Sequence, residues 1–290
     1  MDVKDFTSFS IFGIWGREIS CGEIHFSKHH IIYITEGFLQ SVGDLTDIQV
    51  GSRVRHRLGE VPVDYQEIIS RSVSPVVHST KKELYFLLCN SPILLDESKL
   101  SFTLNKWSGK KCYMLRAREL SIAWKDGPQY WKWTSLPESR FFEVAELRAV
   151  CWLAVGGKMQ TQMLSPKTTY AAYLVFKPAE NSRGLEVPAK ASVRFVVESQ
   201  DGAKDSNDAV HLKLATDRPE HLRRLGRRAA RQPNGRLRQK RGDEWMEIEL
   251  GQFFNDHGDD GEVEMQLKEI QQLNWKTGLI VEGIELRPKE

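Results

Sequence analysis

From Trp107 to Glu290 the sequence predicts an all-β sandwich, preceded by a short, partly helical N-terminal region. Three observations carry this. After Trp107 the chain breaks into short apolar runs separated by turns, the texture of a two-sheet β-fold. Two of the runs alternate cleanly. Val193, Phe195 and Val197 share one face, and Met246, Ile248 and Leu250 share another, with Trp245, Glu247 and Glu249 opposite. Turn pairs fall between runs at Asp201-Gly202, Asn234-Gly235 and Asp260-Gly261. The predicted strands are Trp152–Val155, Thr169–Phe176, Ser192–Val197, Trp245–Leu250, Val263–Ile270 and Leu279–Leu286.

In chain order, residues 1–60 hold apolar clusters such as Ile31-Ile32-Tyr33-Ile34, but no helical or strand period persists. Residues 61–106 read as a connector with two short helices, Asp64–Ser70 and Thr80–Cys89. In the second, Leu84, Leu87 and Leu88 fall on one face, behind a Lys81-Lys82-Glu83 start. Residues 107–290 then form the β-domain, interrupted at 218–241 by RPEHLRRLGRRAARQPNGRLRQKR. That segment has few residues able to build a core and is expected as an exposed loop between two strands.

Composition narrows the function. Of 290 residues, 40% are hydrophobic and 10% aromatic, as in a globular protein, and the net charge of +2 calls for no nucleic-acid or membrane partner. Cys21, Cys89, Cys112 and Cys151 form no CxxC pair, which predicts buried thiols, no metal site and no disulfide framework. The opening MDVKDFTSFSIF has no secretory layout. With no apolar span and no Asn-x-Ser/Thr acceptor, the expected location is the cytoplasm and nucleus. No GxSxG, HExxH, phosphate-binding loop or dinucleotide fingerprint stands in context, so an enzyme is not expected and no cofactor is implied.

The densest chemical signal is WKDGPQYWKW, Trp124 to Trp133. Asp126-Gly127-Pro128 is turn chemistry leading into an extended piece. There Trp131 and Trp133 point one way, Tyr130 and Lys132 the other. Indoles offer a flat apolar face to the C–H face of a sugar ring, and neighbouring carboxylates and amides take its hydroxyls. Trp133, Trp152 and Trp245 read as buried core residues, while Trp124 and Trp131 fit core and surface equally well. The acidic stretch Asp259–Glu264 reads either as hydroxyl acceptors or as a solvated edge. Glu262 and Glu269, seven residues apart, fall on opposite faces of a regular strand, so a shared site would need a bulge or a strand end between them. The basic segment fits an import signal or a solvated loop better than nucleic-acid binding, since it contains no aromatic residue for base stacking.

The ordered series KCYML (Lys111–Leu115), ARELSIAW (Ala117–Trp124), PQYWKW (Pro128–Trp133), EVAELRAVCWL (Glu143–Leu153), LSPKTTYAAYLVFK (Leu164–Lys177), GDEWMEIELGQFF (Gly242–Phe254), DGEVEM (Asp260–Met265) and WKTGLIVEGIELRP (Trp275–Pro288) resembles the plant phloem lectin, or Nictaba-like, domain. The resemblance implies a jelly-roll-like β-sandwich lectin domain that binds N-acetylglucosamine oligomers and N-glycan cores without catalysis or metal, with dimers among its precedents. It places carbohydrate contacts on Trp124, Trp131, Glu262 and Glu269, and a nuclear-import cluster on Arg236, Arg238, Lys240 and Arg241. Upstream, DYQEIISRS and KKELYFLLCNSPILLD resemble the connector of members that carry an F-box, the docking module for the Skp subunit of a cullin ubiquitin ligase. The Leu-Pro start and leucine-rich helices of an F-box are missing from residues 1–60, which read as a degenerate or absent F-box. The alternative implied partner is thus a Skp-type scaffold, with glycoproteins as cargo.

Overall fold

The computed structural model describes residues 60–196, 208–213, 235–258 and 261–289. Two short helices come first, α1 (Tyr65–Ser70) and α2 (Lys81–Asn90). Thr80 caps α2 by accepting from the Glu83 backbone N–H, while Glu83 accepts in turn from the Ser79 N–H. Leu84, Tyr85 and Leu88 are buried on the inner face of α2, and Leu87 is half-buried at its margin.

The larger sheet runs β1 (Ile93–Leu95), β2 (Leu100–Leu104), β3 (Lys111–Arg116), β15 (Thr277–Pro288), β8 (Thr168–Arg183), β13 (Met246–Asn255), β12 (Gln239–Lys240). A side ladder of β5 (Trp131–Thr134) and β6 (Val144–Leu147) joins it through β15. The smaller sheet runs β11 (Arg236–Leu237), β10 (Asp208–His211), β9 (Ala189–Phe195), β14 (Glu262–Glu269), β7 (Leu153–Gln160), β4 (Ser121–Ile122). Each of the six predicted strands is present: β7, β8, β13 and β15 run longer than predicted, β14 keeps its length shifted by one residue to Glu262–Glu269, and β9 starts earlier, at Ala189, and ends at Phe195; Val197 lies outside the described residues.

Because paired strands show the same parity on each face, the sandwich core follows from register. Tyr170, Leu174 and Phe176 of β8 and Ile248 and Leu250 of β13 meet Val263, Met265 and Leu267 of β14 and Val155 and Met159 of β7. Phe253 stacks on Tyr170 at 5.9 Å and meets Phe195 edge-on at 5.6 Å. Gly283 permits β3 to approach β15, since a Cβ there would sit 2.0 Å from the Leu115 carbonyl oxygen.

The predicted boundary at 106/107 falls inside a continuous sheet, because β1 and β2 extend the larger sheet through β3. β2 alternates, with Leu100, Phe102 and Leu104 inward and Ser101 and Thr103 opposite, whereas the three residues of β1 are apolar on both faces. Leu94 of β1 packs outward against a second cluster, in which Met114, Phe141, Val144, Val175 and Trp245 lie under the segment between β5 and β6. Trp245 is wholly buried there and donates its indole N–H to the Glu138 carbonyl.

Beside this cluster lies a buried ionic knot that the alternation pattern does not reveal. Glu285 accepts from Arg140 at 2.9 Å and Arg241 at 2.6 Å, and Arg287 lies at 3.2 Å. Glu247 pairs with Arg241 and Arg287. Burial alone would raise the Glu285 pKa, but the surrounding guanidinium groups pull it down to about 2. The expectation of an exposed loop through residue 241 is therefore corrected. Arg236 sits in β11 and pairs with Asp208, Arg238 donates to the Leu212 carbonyl, and Arg241 closes the knot, because carboxylates and a carbonyl nearby recruit the three arginines; Lys240 sits in β12 with its side chain exposed. The rest of that segment, 218–234, lies outside the described residues.

A carboxylate whose pKa is depressed by folding stabilises the fold above its unfolded value and loses that contribution as pH falls through its folded value. Glu285 thus predicts a loss on the order of 3 kcal/mol between pH ~5 and pH ~2. Urea unfolding at pH 7 and pH 3 should show it, and a Glu285→Gln variant, already destabilised at pH 7, should lose less over the same range.

Candidate functional site

The segment Ser121–Trp133 wraps one rim of the sandwich. After β4 the chain is led by an Ala123 N–H to Ala154 carbonyl bond of 3.0 Å, then turns through Lys125 N–H to Ile122 O, Gly127 N–H to Trp124 O and Tyr130 N–H to Gly127 O. Trp124 occupies the left-handed region at φ 64°, a conformation that costs a side-chain-bearing residue free energy and persists only where surroundings enforce it. Two anchors enforce it. The buried indole of Trp131 donates to the Ala123 carbonyl at 2.9 Å, and the Lys125 ammonium donates to the Arg118 and Leu120 carbonyls at 3.2 and 3.0 Å. Gly127 is required because a Cβ there would lie 2.7 Å from the Tyr130 ring.

The result is one exposed indole on a fixed turn. Trp124 is 58% exposed, and its ring lies 5.7 Å from that of Tyr130 at an interplanar angle of 47°. Together they border an open cleft of about 730 Å³ whose polar lining includes Glu119, Ser121, Asp126 and Gln129. Across the turn, Arg118 lies 3.7 Å over the Trp133 ring and pairs with Glu143 at 2.9 Å, which holds the turn's base.

The other sequence candidates separate. Trp131 is 2% exposed, so in this conformation it supports Trp124 instead of offering a face of its own. Glu262 opens β14 on its outer face, bonded to Lys158 at 3.1 Å. Glu269 closes the same strand on the inner face, nearly buried, paired with Lys276 and accepting from the backbone N–H groups of Gln271 and Gln272. Burial works against its charge, but Lys276 and those N–H groups hold its pKa below the usual carboxylate range. The β14–β7 register runs without a shift from Glu262–Gln160 to Glu269–Leu153, so the bulge or strand end that a shared site required between the two glutamates is missing. Trp152, expected in the core, is 48% exposed because it precedes β7 at the sandwich rim; Trp133 is half-buried and Trp245 buried. Tyr130, Gly127 and Lys125 complete the site; their only signal in the sequence is the Asp-Gly-Pro turn between two aromatic pairs.

These roles make opposite predictions for stability. Trp131→Ala should cost about 3–5 kcal/mol through the cavity and the lost turn anchor. Trp124→Gly should raise stability by roughly 1 kcal/mol, since glycine adopts the left-handed conformation freely. Denaturant unfolding of the two variants measures both.

Against known proteins, the phloem protein 2 family model matches residues 110–288. Curated relatives include three from Arabidopsis thaliana. F-box protein PP2-B10 is 47% identical over 79% of this chain and 78% of its own length. F-box protein At2g02240 is 42% identical over 79% of this chain and 66% of its own. Putative F-box protein PP2-B12 is 41% identical over 79% and 81%. The matched span takes in the turn that carries Trp124 and both sheets of the sandwich from β3 onward: this chain belongs to the phloem protein 2 family.

Proposed function

We propose that the chain is a non-enzymatic carbohydrate-binding protein of the cytoplasm and nucleus that takes N-acetylglucosamine oligomers or N-glycan cores. The observation that carries this reading is Trp124, an exposed indole held in a strained backbone conformation beside Tyr130 over a cleft lined by Glu119, Ser121, Asp126 and Gln129. Nothing in packing calls for an exposed tryptophan at φ 64°, whereas a sugar ring stacked on that face gains apolar contact while its hydroxyls and acetamide meet the carboxylates and amides. Trp131 acts one step back, as the residue that fixes the stacking ring. Glu262 and Glu269 pair with Lys158 and Lys276 on opposite faces of β14. The described cysteines are free thiols, which suits a reducing compartment.

Titration of the folded chain with N-acetylglucosamine oligomers tests the reading. Trp124→Ala should weaken binding at least tenfold, equivalent to about 1.4 kcal/mol, with the unfolding midpoint unchanged or raised. Equal binding by wild type and Trp124→Ala would move the site elsewhere, and no binding by folded wild type would end the lectin reading.

A second reading rests on the names of the relatives, which are F-box proteins. In it the sandwich selects glycoprotein cargo while residues 1–59 dock on a Skp subunit. Co-purification of the full chain with a purified Skp subunit, lost on deletion of residues 1–59, is the expected result; no co-purification leaves the free lectin.

A further inference from the structure

Two like charges face each other on the outer side of the smaller sheet. Lys268 of β14 and Lys190 of β9 stand directly opposite in antiparallel register. Side chains opposed in this way have Cβ atoms about 5 Å apart, and like charges at that spacing disfavour the sheet. The row offers no relief on either side, because Lys190 is flanked by Ala209 of β10 and Lys268 by Ala154 of β7. Both lysines are exposed, and among the described residues neither side chain has an ion pair or a hydrogen bond. The carboxylates of β14 are committed elsewhere. Glu262 pairs with Lys158, and Glu264 accepts twice from Arg194, at 2.9 and 2.8 Å. Glu269 turns to the inner face, where Lys276 and the N–H groups of Gln271 and Gln272 hold it.

The two lysines border a pocket of about 250 Å³. Its lining also carries the Ser192 hydroxyl and the Gln266 amide, which register places opposite each other at the next outward position. Arg194 and Glu269 line it too, but each is matched by its own partner, Glu264 and Lys276. What remains to meet a ligand is two ammonium groups, a hydroxyl and an amide around one cavity. The pocket shares no lining residue with the Trp124 cleft.

We propose that this pocket binds a phosphate monoester. Charge selects the group: near pH ~7 a phosphomonoester carries close to two negative charges, where a carboxylate or a phosphate diester carries one. Its three terminal oxygens accept hydrogen bonds, and the ammonium groups, the Ser192 hydroxyl and the Gln266 amide donate them. A dianion set between Lys190 and Lys268 turns one cross-strand repulsion into two attractions, so the ligand stabilises the sheet that holds it. The inference is independent of the carbohydrate reading, because the two sites have no residue in common.

The test is thermal unfolding and calorimetric titration of the full chain with inorganic phosphate and with glycerol 3-phosphate. Sodium chloride at matched ionic strength is the control, since screening alone softens the lysine repulsion. At pH ~7.5 both phosphates should raise the wild-type melting temperature by a few degrees above the chloride control. At pH ~5, where the ester is a monoanion and the lysines are still charged, about tenfold more ligand should be needed. Lys190→Gln and Lys268→Gln should each weaken binding about tenfold. Lys190→Glu, which sets a carboxylate opposite Lys268, should raise the melting temperature in chloride alone and abolish the response to phosphate. Trp124→Ala should keep that response. A wild-type response no larger than that to chloride overturns the site, as does a full response in Lys190→Glu. A response to inorganic phosphate without one to glycerol 3-phosphate overturns the assignment to an ester.

Discussion

Strand β15 joins what would otherwise be three separate pieces of the larger sheet. On one edge it pairs with β8 from Thr277 to Pro288; on the other it pairs first with β6 at Ile280 and Val281, then with β3 from Gly283 to Leu286. The bulge between Val281 and Gly283 lets one strand serve two partners on the same edge. It also changes which residues face outward, and so places Glu282 and Glu285 toward Ser139, Arg140 and Arg241. The inner core, the outer tryptophan cluster and the ionic knot thus all rest on the path of this strand.

The rim that bears Trp124 inherits its rigidity from that arrangement. β6 hangs on β15 and β5 on β6, so Trp131 is presented at a fixed height to bond Ala123. From the other side, β4 is held by β7 through Ser121 and Ile122. The turn between them is clamped at both ends by different sheets. That is why a bulky residue tolerates a left-handed backbone there, and why its ring is already in place before any ligand arrives.

How much of this the sequence reveals depends on whether one face of a strand is wet. β13 and β14 alternate for many residues because their outer faces carry Glu249, Gln252, Glu264 and Lys268, and both are legible. β3 is not, since Met114 serves the outer cluster while Tyr113 and Leu115 serve the inner core. The separation of Glu262 from Glu269 follows from odd spacing alone. The division of labour between Trp124 and Trp131 does not, because two tryptophans seven residues apart around an Asp-Gly-Pro turn are equivalent until the turn's hydrogen bonds are known. The arginines of residues 236–241 mislead for a related reason: a run of positive charge reads as solvated unless its carboxylates, here from β13 and β15, are brought to it from elsewhere in the chain.

The ionic knot has a consequence for warmth. Charged groups lose hydration free energy as temperature rises, so the penalty for keeping Glu247, Glu285 and their three arginines away from water shrinks on heating, while the apolar contribution per unit area levels off. The outer face of the larger sheet therefore supplies a growing share of the stability just where the sandwich core stops gaining, and the two halves of the packing divide the temperature range between them.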